Sequence, residues 1–169
     1  MIRTSLIAAL LATSVAGAQQ TNGAAVTPPP KAVAGTAVAV TKAQVTSLRW
    51  LEGTWRGTGG GVPAFAEGYK FANDSTIDIS FYGDSTGTKV SGTGKIFLTA
   101  GQLFYSGNGT EYAATKIAPN SVTFVPKGTN GKNQLEWTMV SPTVWTSVLK
   151  GGSGEVTPPI VTYKMSKIR

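Results

Sequence analysis

Ile77-Asp78-Ile79-Ser80-Phe81-Tyr82, a Gly83-Asp84-Ser85 turn, and Lys89-Val90-Ser91-Gly92-Thr93-Gly94-Lys95-Ile96-Phe97-Leu98 read as two strands and the reversal between them. Ile77, Ile79 and Phe81 take one face, and Asp78, Ser80 and Tyr82 the other. Val90, Gly92, Gly94, Ile96 and Leu98 share a face opposite Lys89, Ser91, Thr93 and Lys95. A period of two with one apolar and one wet side is the signature of an antiparallel strand covered on one face only.

Working outward, the same period recurs. Thr54–Gly60 and Glu67–Phe71 precede the pair. Gln102–Tyr105, Glu111–Ile117, Ser121–Val125, Gln134–Met139, Thr143–Leu149 and Ile160–Ile168 follow it. Asn108-Gly109 and Asn130-Gly131 supply further hairpin turns. About ten short consecutive strands predict an all-β fold, a ten-stranded antiparallel up-and-down β-barrel. Glycines 57, 59, 60, 61, 92 and 94 favour the barrel over a sandwich, because glycine lets a strand bend as a sheet closes on itself. Charged outer faces and short strands argue against a barrel in a bilayer. Ahead of the first strand, Val45, Leu48, Trp50 and Leu51 are spaced for a short N-terminal helix that ends at Gly53.

The chain before that helix has a different character. Arg3, the apolar run Leu6–Ala12 and the small-x-small triplet Ala16-Gly17-Ala18 form a signal peptide over residues 1–18, with cleavage near Ala18. Its apolar run is too short to span a bilayer. Residues 19–44 hold Pro28-Pro29-Pro30 and no Trp, Phe, Tyr, Leu or Ile, and read as a flexible Pro/Ala/Val-rich linker, with Ala32–Val40 as an optional edge strand. Residues 45–169 carry every aromatic residue and form the domain. The expected location is the periplasm or the extracellular space.

Composition narrows the chemistry. In 169 residues there is no histidine and no cysteine. That removes Ser-His-Asp triads, thiolate nucleophiles, disulfides, iron–sulfur clusters and the usual zinc sites. No catalytic residue and no metal site is expected. Glu67 shares the strand parity of Tyr69 and is the carboxylate expected to point inward, salt-bridged to Arg56 or Arg49. The glycines at 57–61 precede Val62-Pro63 and a strand, not the helix a phosphate-binding loop needs. Lysines are scattered on outward positions, so the +7 charge reads as a solvated surface with no nucleic-acid stripe, leaving weak attraction to anionic envelope polymers.

Leu48-Arg49-Trp50-Leu51-Glu52-Gly53-Thr54-Trp55-Arg56-Gly57-Thr58-Gly59 resembles the lead-in to lipocalin-like, or calycin, barrels. Among these it resembles a bacterial family of exported lipocalin-like domains and the nitrobindin group of ten-stranded barrels. The resemblance implies that Trp55 of Gly53-Thr54-Trp55 plugs the closed end under a cation from the last strand. Arg169, in phase with Tyr163 and Met165, is the expected cation and Lys167 the other candidate. Nitrobindin-type barrels hold haem through a histidine that this chain lacks, so no cofactor is expected. Fatty-acid-binding relatives clamp a carboxylate with Arg-x-Tyr on the final strand. Here the place reads Val161-Thr162-Tyr163, without the arginine.

Inward candidates are Tyr69, Phe71, Ile77, Ile79, Phe81, Val122, Phe124, Leu135, Trp137, Met139, Trp145 and Tyr163. Of the possible cavity wall, Tyr69, Phe81, Tyr105, Trp137 and Tyr163 are singled out. An open interior would bind a small apolar or aromatic molecule without catalysis. A filled interior would leave a cell-envelope interaction module.

Overall fold

The computed structural model of the protein describes residues 38–107, 109–127, 133–151 and 161–169. The expected signal peptide and most of the linker lie outside these residues. The barrel belongs to the second of two compact units, Ala32–Arg169.

Ten strands close into one antiparallel barrel: β1 (Gly53–Gly59), β2 (Val62–Asn73), β3 (Thr76–Tyr82), β4 (Val90–Thr99), β5 (Gln102–Gly107), β6 (Thr110–Ala118), β7 (Ser121–Pro126), β8 (Gln134–Ser141), β9 (Val144–Lys150) and β10 (Val161–Lys167). Each strand pairs with its neighbours in sequence, and β1 pairs with β10 to complete the ring. Every strand expected from the alternation is present. The largest departure is β2, which starts at Val62 and runs through Pro63. Gly59, Gly60 and Gly61 all take positive φ and turn the chain sharply. Register then shifts between Gly57 and Gly59. A bulge at the start of a strand is where proline's missing N–H is tolerated.

One end of the barrel is closed by the segment that precedes β1. Val38 N–H donates to Ala114 O at 3.3 Å and Val40 N–H to Gly101 O at 2.8 Å. The first bond lands beside the bulge between Ala114 and Lys116 in β6. α1 (Lys42–Thr46) follows, opened by a capping box in which Thr41 and Gln44 satisfy each other's backbone N–H groups. A 3-10 turn, Ser47–Leu51, completes the lid. Helical structure therefore starts three residues before Val45, because its cap is Thr41. Val45, Leu48 and Leu51 are fully buried against the barrel interior.

Trp55 locks the lid to the wall. Its indole N–H donates to Leu51 O at 2.6 Å. The cation above it is Lys167, whose Nζ lies 5.3 Å from the ring centroid, and not Arg169. Trp55 pairs directly with Lys167 across β1 and β10. Beyond it Ile168 N–H donates to Thr54 O at 2.8 Å and Thr54 N–H donates to Arg169 O at 2.6 Å, so two residues face one and the inward–outward alternation does not carry on to residue 169. Arg169 instead sends its guanidinium to the carbonyls of Thr86 and Gly87, strapping the loop between β3 and β4 against β1. Among the described residues, no helix is long and apolar enough to cross a membrane.

Candidate functional site

A cavity of about 300 Å³ occupies the barrel interior, lined from β2, β5, β8, β9 and β10. Its floor is aromatic. Trp145, fully buried, meets Trp50 of the lid and Trp55 of β1 with ring centroids 6.0 and 6.1 Å away. It also meets Trp137 at 5.4 Å, and Trp137 meets Tyr105 at 5.3 Å. Tilted and edge-on contacts of this kind fix the rings beyond what area burial alone would do. At the opposite end from the lid, Phe65 and Tyr163 stand edge to face at 5.4 Å, beside Val62 and Leu135.

Two of these walls exist because glycine leaves room for a ring. A Cβ on Gly57 would sit 2.3 Å from Phe65 Cζ, and one on Gly60 would sit 2.5 Å from Tyr163 Cε1. Phe81 uses the same device elsewhere. Its ring lies along Gly92, Gly94 and Gly107, the nearest approach being 3.0 Å to the Cβ position of Gly107. The inward glycines of β4 are thus covered by Phe81 and do not enlarge the interior.

Of the five expected wall residues, Tyr105, Trp137 and Tyr163 line the cavity. Phe81 does not, because its ring is folded onto the glycine-lined wall. Tyr69 does not either. It packs edge-on at 5.8 Å from Trp137 and 5.9 Å from Trp145, one layer closer to the lid. Phe65, Ser147 and Met165 complete the lining and were not singled out from sequence. Phe65 shares the parity of Glu67 and Tyr69, so extending β2 back through Pro63 is the signal that finds it.

Glu67 is the acid of the site and, among the described residues, the only charged group lining it. Tyr69 donates its hydroxyl proton to Glu67 Oε2 at 2.6 Å. The expected salt bridge is absent: Arg49 pairs with Glu52 and covers the Phe71 ring at 4.6 Å, and Arg56 is exposed. No basic side chain pairs with Glu67 among the described residues. Burial therefore pushes its carboxyl above the ordinary glutamate value, offset in part by the Tyr69 hydrogen bond. Burial, and next the Glu67 charge, push the Tyr69 and Tyr105 hydroxyls up, so both act as neutral groups. Trp145 Nε1 is buried without an acceptor among the described residues. Ser147 adds a hydroxyl.

This arrangement is concave, ring-lined and carries a few fixed polar groups. Glu67 faces no second acid in the lining, and no group of three His, Cys, Asp or Glu that could hold a metal occurs among the described residues.

No family model matches the chain, and no curated protein matches it. Among solved structures, a redesigned β-barrel aligns at 15% identity over 71% of this chain and 93% of its own, with a TM-score of 0.35. Another, EF1p2_mFAP2b bound to DFHBI, aligns at 15% identity over 74% of this chain and 99% of its own, with a TM-score of 0.33. The closed barrel with a helical lid over one end is the architecture that the calycin resemblance implies.

Proposed function

We propose that the protein is an exported, lipocalin-like barrel that binds a small hydrophobic or aromatic molecule non-covalently and catalyses no reaction. The observation that carries this reading is the cavity of about 300 Å³ between Trp145 on its floor and the Phe65–Tyr163 pair at its other end. Its size falls at the lower end of small-molecule sites, and its ring-lined wall with few polar groups matches their usual chemistry. An interior filled by side chains would have favoured the envelope interaction module instead. Export rests on Arg3, Leu6–Ala12 and Ala16-Gly17-Ala18.

Native mass spectrometry of the protein purified gently from its own compartment tests the reading. A co-purifying small mass, lost on denaturation, is the expected result. A bare mass, with no quenching of tryptophan fluorescence by a panel of aromatic probes, would sink it.

A further inference from the structure

We propose that the ligand of the barrel is an organic cation, an amine or quaternary ammonium on a small apolar or aromatic body, whose charge sits against Glu67. The inference rests on the carrier reading and specifies its ligand class.

Charge sign is the first argument. The chain has 15 Lys and Arg against 8 Asp and Glu, yet the described lining of its cavity holds one charged group, and that group is acidic. A carboxylate ligand would find no cation in the described lining, and the ionised Glu67 would repel it. The ring faces supply the second argument. Tyr105, Trp137, Trp145, Phe65 and Tyr163 line the cavity, and an aromatic face attracts a cation most strongly where water is excluded. The third argument is the unmatched carboxyl. Only Oε2 of Glu67 has a partner among the described residues, the Tyr69 hydroxyl. A neutral apolar ligand would strip water from the remaining oxygen and return nothing, which is costly. An ammonium returns an opposite charge, and where it carries N–H groups a hydrogen bond as well.

A matched set of three probes reads this on the full chain: (naphthalen-2-ylmethyl)trimethylammonium, its uncharged carbon isostere, and 2-naphthylacetate. Affinities come from calorimetry and tryptophan quenching. The cation is expected to bind roughly tenfold or more tighter than the isostere, with the anion weakest. In Glu67→Gln, which keeps an acceptor for Tyr69, the preference for the cation should shrink about threefold or more, to what the rings alone supply. If the isostere equals or exceeds the cation on the unmodified protein, the inference falls and the carrier reading stands. If the preference is undiminished in Glu67→Gln, the inference also falls. If none of the three binds, this inference falls, and the carrier reading falls with it where the native mass is also bare. The ratio on the unmodified protein decides alone should the variant not fold.

Discussion

Glu67 shows how one residue sets both stability and chemistry. Its carboxyl is held above the ordinary glutamate value by burial, so the folded chain keeps a proton that the unfolded chain releases. Stability is therefore lost as pH rises from the ordinary carboxylate range through the raised folded value. Glu67→Gln should melt at a higher temperature than the unmodified protein at about pH 8, with the difference gone near pH 4, checked by circular dichroism melts across that range. Arg169 supplies a second test. Arg169→Ala removes the donors to Thr86 and Gly87. It is expected to cost about 1 kcal/mol and to speed amide exchange in the loop between β3 and β4, with β1 amides unchanged. If loop exchange is unaltered, the strap does not hold the loop. Lys167 and Arg169 also show where sequence parity stops being informative. Parity holds while one residue faces one, and beyond Lys167 both Ile168 and Arg169 bond the single residue Thr54.

Among the elements, the glycine-bearing strands separate two kinds of close approach. In β4, a Cβ on Gly94 would lie 2.6 Å from the backbone oxygen of Ser106, which cannot move without breaking the pairing of β4 with β5. Gly94→Ala is expected to cost about 2 kcal/mol in denaturant melts. In β1, a Cβ on Gly57 would meet first the Phe65 ring, a side chain able to swing aside. Gly57→Ala should cost less than Gly94→Ala and weaken probe binding, because Phe65 is displaced at the wall of the cavity. Equal losses of stability in the two variants would contradict this division. The lid is legible to the same depth. Thr41→Ala breaks the capping box of a five-residue helix and should cost about 1 kcal/mol.

At the scale of the molecule, the site and the core share one set of side chains. Trp145 packs the lid from below and floors the cavity at once, so a ligand contacts the same aromatic network that closes the barrel. Ligand binding should therefore raise the melting temperature, by the equivalent of about 2.7 kcal/mol at a hundredfold excess over Kd. A probe that quenches tryptophan fluorescence without shifting the melt would be bound outside the barrel.

Period-two alternation, recurring turns and the Trp-Leu-Glu-Gly-Thr-Trp lead-in were enough to establish ten strands, their order and a short helix ahead of them, because each is a local pattern of neighbouring residues. The inward acid, Trp137 and Tyr163 followed from parity, and Tyr105 from aromatic content alone. Tertiary structure decided what parity cannot express. It placed Lys167 over Trp55, folded Phe81 onto glycines from two other strands, and brought Phe65 to the site through a bulge at Pro63. It also left Glu67 without the Arg56 or Arg49 partner expected for an inward acid. All four depend on which strand lies beside which and at what register. That is a property of the closed ring, invisible in any single strand.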